Sequence, residues 1–155
     1  MTTIRYSAAC CQTDLPNPLE RAEMRANTDR MLAMIDSALA GAAPFLPVRL
    51  VVFPEFAHSA PVFESVALLR EKLAVPVPNE HTDRLAAKAK QEGIYVQTGS
   101  MIEADPKYPD VVFNATTRNE LDASLQAAED YEPGVPGVVV NLYAPVLDGN
   151  GEPVY

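Results

Sequence analysis

The chain has 155 residues and a mass of 16.8 kDa, a size typical of one folded domain. Its 12 basic and 21 acidic residues give a net charge of −9, and so acidic a chain is a poor partner for nucleic acid or an anionic membrane surface. No apolar run reaches the roughly 18 residues that would span a bilayer. The amino terminus lacks the basic start and apolar stretch of a signal peptide, which indicates a cytoplasmic protein.

The first predicted elements are a strand over residues 4–10 and a helix after it. Asn17 is predicted to cap this helix, with Pro18 at the first helical position and Glu20 in a capping box. Gly41 is predicted to end the helix. Apolar residues at helical spacing between these limits support the prediction.

The middle of the chain alternates between apolar runs and helical patterns. Residues 48–53 form an almost continuous apolar run, which is typical of a strand buried on both faces. A second helix is predicted over residues 62–73 with Ser59 as a cap, and a third over residues 79–92 with Gly93 at its end. Strands alternating with helices favour an α/β fold.

The last third of the chain is predicted to be mostly strand. Strands are expected over residues 94–102, 111–117 and 138–147. A long acidic connection, 118–136, separates the last two, and it is interpreted either as an insertion that shapes a pocket or an oligomer contact, or as a mobile loop. Residues 148–151 are predicted to form a hairpin turn.

Glu55 is the first candidate for chemistry, because it follows a predicted buried strand directly after Pro54. Sites in open α/β sheets form at the carboxyl ends of strands. With Phe53 and Phe56 on either side, the carboxylate is expected to be partly desolvated, which suits a general base. The alternative is that Glu55 only caps the next helix or lies in solvent.

An ordered set of motifs resembles the amino-terminal part of the nitrilase, or carbon–nitrogen hydrolase, superfamily. The set comprises Ala8-Ala9-Cys10-Cys11-Gln12, the helical Asn27, Leu50-Val51-Val52-Phe53-Pro54-Glu55, Leu85-Ala86, Gly93-Ile94-Tyr95-Val96, Gly99-Ser100, Val112-Phe113-Asn114-Ala115-Thr116 and Asp148-Gly149-Asn150-Gly151-Glu152. The resemblance implies a nitrilase-like α-β-β-α sandwich, of which this chain would hold the amino-terminal half. Residues 1–155 would then be a single, incomplete carbon–nitrogen hydrolase domain.

The resemblance also implies a catalytic triad of glutamate, lysine and cysteine that cleaves a non-peptide amide or a nitrile. Only Glu55 corresponds to a member of that triad, as general base and acid. By the same resemblance the lysine lies just beyond Tyr155 and the cysteine further on, so the isolated chain is expected to be inactive. No metal or organic cofactor is implied, and a homo-oligomer is expected.

The remaining candidates are weaker. His58 follows Glu55 by three positions and is predicted to line the same pocket and contact substrate; the alternative is an ordinary loop histidine. Cys10 and Cys11 are adjacent, which disfavours a mutual disulfide, and neither is expected to be a nucleophile. The rival to an enzyme is a non-catalytic relative of the family that acts as a binding or oligomerisation module.

Overall fold

A computed structural model describes residues 5–115 throughout and, beyond them, the backbone of three short strands. The helices are α1 (Met24–Ala42), α2 (Val66–Lys72) and α3 (Glu80–Glu92), with a short 3₁₀ helix at Arg21–Glu23 before α1. The strands are β1 (Ser7–Cys10), β2 (Val48–Val52), β3 (Tyr95–Gln97), β4 (Met101–Glu103), β5 (Val112–Ala115), β6 (Val139–Asn141), β7 (Val146–Leu147) and β8 (Pro153–Val154).

The described strands form two sheets. The first has the order β1-β2-β3-β7-β8, and its first three strands are parallel. Cys10 is level with Val52, and Val52 is level with Gln97, so these three strands end at one edge of the sheet. The second sheet has the order β4-β5-β6, with β5 antiparallel to β4 and parallel to β6.

The two sheets are covered by different helices. Helices α1 and α3 pack on the first sheet in one hydrophobic cluster that includes Met31, Ile35, Val51, Leu85, Ala89 and Val96. Helix α2 packs with the second sheet, in a cluster that includes Leu69, Leu73, Ile102 and Val112. The described chain is therefore a mixed α/β fold, as the sequence predicts.

The strand predicted over residues 94–102 is in fact two strands in different sheets. Strand β3 ends at Gln97, β4 begins at Met101, and Gly99 lies between them with φ of 73°. That left-handed conformation is open to glycine and unfavourable for most other residues. The chain thus leaves the first sheet and enters the second within three residues, so the prediction of one continuous strand is wrong.

Two predicted helix starts are also wrong, because the helices begin several residues later than predicted. Helix α1 begins at Met24, and the side chain of Asn17 instead pairs with the backbone of Ala60, 43 residues away. Helix α2 begins after Ser65, whose hydroxyl accepts a hydrogen bond from the backbone of Leu68, whereas Ser59 is buried in the loop before it. For Asn17, a long-range partner has taken the place of a local cap.

Helix α3 confirms its prediction at both ends. Asn79 accepts hydrogen bonds from the backbone amides of His81 and Thr82, and Gly93 ends the helix with φ of 63°. The predicted connection 118–136 and the turn 148–151 lie outside the described residues. The strands on either side of that turn, β7 and β8, pair antiparallel.

Candidate functional site

Glu55 lies at the edge where the three parallel strands end, as predicted. Strand β2 finishes at Val52, and Phe53 and Pro54 lead into the acidic residue. The residue is exposed, however, so the predicted partial burial is wrong. Phe53 packs in the cluster of α1 and α3, and Phe56 packs against that of α2. The two aromatic side chains thus pack in separate hydrophobic clusters and do not cover Glu55.

One carboxylate oxygen of Glu55 is held by the second sheet. The side-chain amide of Asn114 in β5 donates a hydrogen bond to Oε1 of Glu55. Asn114 is 2% exposed, so a buried donor orients an exposed acid. Because the residue is exposed, the acid is oriented through one oxygen while part of its side chain remains in solvent, an arrangement that suits proton transfer.

The turn that carries Glu55 is fixed by the loop between β3 and β4. A Cβ atom at Gly99 would lie 2.1 Å from the carbonyl oxygen of Pro54, so only glycine permits this approach. The backbone amide of Phe56 donates to Oγ of Ser100 at 3.2 Å. Phe56 itself has φ of 57°, a strained conformation for an aromatic residue and one that is found most often at functional sites.

The other end of the same turn is held by two asparagines. Asn27 in α1 donates from Nδ2 to the carbonyl oxygens of Pro16 and His58, each at 2.9 Å. Oδ1 of Asn17 accepts from the backbone amide of Ala60 at 2.6 Å. The segment from Pro54 to Ala60 is therefore anchored to the second sheet at one end and to α1 at the other.

The ring of His58 is buried against α3 and not beside Glu55. Its ring centroid lies 5.7 Å from that of His81, and the residue is 1% exposed. Burial first, and then the nearby His81, lowers the pKa of His58 from 6.5 to about 3, so the ring is neutral. Neither ring nitrogen has a hydrogen-bond partner within the described part of the chain.

His58 lines a small cavity, but the structure does not bring Glu55 into it. The cavity has a volume of about 140 Å³ and is formed by the loops after β1 and β2; its lining includes Thr13, Asp14, Asn17, Asn27, Phe56 and His58. Because both ring nitrogens of His58 are inaccessible, this cavity gives the imidazole no direct contact with a ligand. A substrate contact for His58 remains a prediction.

The two cysteines lie at the same edge as Glu55. Cys10 is exposed and ends β1, while Cys11 is half-buried. Burial, and to a lesser extent the neighbouring Cys10, raises the pKa of the Cys11 thiol. A raised pKa lowers the thiolate fraction, which disfavours nucleophilic chemistry.

The residues that the structure describes contain no group of three or more His, Cys, Asp or Glu side chains arranged to hold a metal ion. They also contain no helix long and apolar enough to cross a membrane.

Sequence reasoning missed the residues that position Glu55. Asn114 and Asn27 belong to the family motifs but carry no predicted role, and the Gly99-Ser100 pair lies inside a predicted strand. A glycine within a strand pattern often indicates a bulge or a close backbone approach, and that signal was present here. The partners of the two asparagines are remote in sequence and carry no local signal.

Comparison with known proteins supports the fold. The sequence matches no protein-family model and no curated protein. In three dimensions the chain is similar to a member of the nitrilase superfamily. That structure is the crystal structure of Saccharomyces cerevisiae Nit3, a member of branch 10 of the superfamily. The TM-score is 0.53 at 18% sequence identity, and the match covers 86% of this chain but 37% of the Nit3 chain. The likeness shows a shared fold.

Proposed function

We propose that this chain is the amino-terminal part of a carbon–nitrogen hydrolase with a nitrilase-like α-β-β-α sandwich, and that Glu55 is its proton-transferring acid and base. The observation that carries the proposal is the orientation of Glu55 by Asn114 at the edge where three parallel strands end. The similarity to a nitrilase-superfamily structure supports it. The cytoplasmic location predicted from the sequence is part of the same proposal.

The proposed chemistry begins with a thiol whose proton passes to Glu55. The thiolate then attacks the carbon of an amide or nitrile and forms a carbon–sulfur bond. For an amide, Glu55 returns the proton to the departing nitrogen, which leaves as ammonia, and water then cleaves the thioester. For a nitrile, Glu55 returns the proton to the nitrogen to give a thioimidate; one water then releases ammonia and leaves the thioester, which a second water cleaves. A lysine stabilises the charge on the tetrahedral intermediate. By family resemblance the thiol and the lysine come from sequence beyond Tyr155, or from a partner chain.

The test is ammonia release from simple amides and nitriles by the protein encoded by the complete reading frame. Glu55→Gln is expected to reduce the rate by about 10²–10⁴-fold, because the amide cannot transfer the proton. Glu64→Gln is the matched control, since Glu64 is an exposed glutamate in the loop before α2 and should leave the rate unchanged. Equal rates for wild type and Glu55→Gln would remove Glu55 from the mechanism. The isolated 155-residue chain is expected to release no ammonia.

A non-catalytic binding or oligomerisation module is the second candidate. Large apolar side chains are exposed before β1 and β2: Tyr6 is 51% exposed, Phe45 80% and Leu46 41%. Such groups favour association. We propose a homo-oligomer under either function, and sedimentation analysis of the 155-residue chain tests it. An oligomer that persists while the complete protein shows no hydrolysis would favour the module.

A further inference from the structure

The segment that carries Glu55 also contains a buried titratable group for which the proposed chemistry has no use. His58 lies three residues after Glu55, its ring packs against His81, and its carbonyl oxygen is held by Asn27. The imidazole is closed off from solvent at both nitrogens. A proton can therefore reach it only when the segment opens.

We propose that His58 is a pH-sensitive switch that couples proton uptake to opening of the turn Pro54–Ala60. In the closed turn the ring has no acceptor for a second N–H among the described residues and faces another imidazole. In the open turn the ring is hydrated and accepts a proton readily. Acid therefore favours the open turn, in which the hydrogen bonds of Phe56 to Ser100 and of Ala60 to Asn17 are broken.

The charged groups around the histidine pair do not offset this effect. His81 is the described group that acts on His58, and it disfavours the protonated ring. The Nδ1 atom of His81 is engaged with the hydroxyl of Thr28 at 2.8 Å. The other described charges act on His81: Glu80 and Asp29 favour its protonation, and Arg84 and Arg25 oppose it. Asp14, on the far loop of the cavity, is exposed.

The size of the effect follows from linkage. The pKa of the ring is about 3 in the closed turn and 6.5 when it is hydrated, so protons bind to the open form in the interval between these values. The population of the open turn is expected to rise about 50-fold between pH 6.5 and pH 4.5. Any effect of this opening on catalysis rests on the proposed function, whereas the opening itself does not depend on it.

Amide hydrogen exchange on the 155-residue chain tests the switch without any measurement of hydrolysis. Rates are corrected for the intrinsic pH dependence of exchange. The amides of Phe56 and Ala60 are expected to show the 50-fold rise, and at every pH to exchange faster than the amides of the β2–β3 ladder. His58→Gln and His58→Leu should abolish the rise, whereas His81→Gln should keep it.

Three results would overturn the proposal. The first is a population of the open turn in the wild type that stays the same between pH 6.5 and pH 4.5. The second is the same rise in a folded His58 variant. The third is equal protection of the turn and of the β2–β3 ladder, which would mean that only global unfolding exposes the ring. If the switch is found but the complete protein releases no ammonia, the proposed function fails and the switch stands.

Discussion

The two halves of the turn between β2 and α2 use polar side chains in opposite ways. Glu55 is exposed and receives a hydrogen bond from a buried asparagine on the second sheet. His58 is buried, and its ring nitrogens have no partner among the described residues. The first half presents a charged group to solvent in a fixed orientation, and the second half anchors the turn through its backbone. We infer that the position of Glu55 directly after a strand identifies it as the candidate acid. The burial of His58 shows that this nearby residue instead helps to hold the turn in place.

The largest effect on stability is expected at the Glu55 half. Gly99→Ala places a Cβ atom against the Pro54 carbonyl in a left-handed conformation, and should lower the free energy of unfolding by about 3 kcal/mol or more. Gly93→Ala has the same kind of φ without a clash and should cost about 1 kcal/mol. Gly41→Ala, within α1 and free of contacts, should stabilise by about 0.5 kcal/mol. Urea unfolding measures all three, and equal values for Gly99→Ala and Gly93→Ala would contradict the close approach.

The next effect concerns the His58 half and depends on pH. Because the pKa of His58 is lowered in the folded chain, its unfolded state binds a proton below pH 6.5 that the folded state does not. Stability from this group is complete above pH 6.5 and falls by about 1.4 kcal/mol for each unit below it, as far as about pH 3. Between pH 7 and pH 4 the wild type should lose about 3 kcal/mol more than His58→Gln. Parallel stability curves for the two proteins would count against the burial of a neutral ring.

A smaller effect is expected from loss of the hydrogen bonds that hold the His58 half of the turn. Asn27→Ala removes the donor to the carbonyl groups of Pro16 and His58 and should cost about 2 kcal/mol. Asn79→Ala removes the cap of α3 and should cost about 1 kcal/mol. Exchange of the Ala60 amide separates the two variants, since only Asn27→Ala should accelerate it. If both variants accelerate exchange of the Ala60 amide, the hydrogen bonds of Asn27 do not specifically hold this end of the turn.

The sequence predicts those features whose causes are local. The helix predicted over residues 79–92, its end at Gly93 and the position of Glu55 after β2 all depend on neighbouring residues, and they are observed as predicted to within one residue. The break between β3 and β4 has one local signal, Gly99, but the apolar residues on both sides of it favour a single strand over residues 94–102. Asn17 fits a cap because the pattern beside it is helical, but its partner Ala60 is remote. Exposure of Glu55 was equally unpredictable, since it depends on where two phenylalanines pack.

The hydrogen bond from Asn114 has a consequence for variation in this protein. The donor lies in the second sheet and the acceptor in the turn that follows a strand of the first. The loop before β5 is held by Arg70 of α2, which donates to the carbonyl groups of Asp105, Tyr108 and Val111. A substitution in that loop or in α2 can therefore reorient the carboxylate of Glu55 while its own turn stays unaltered. The orientation of Glu55 would then depend on residues that have no contact with it.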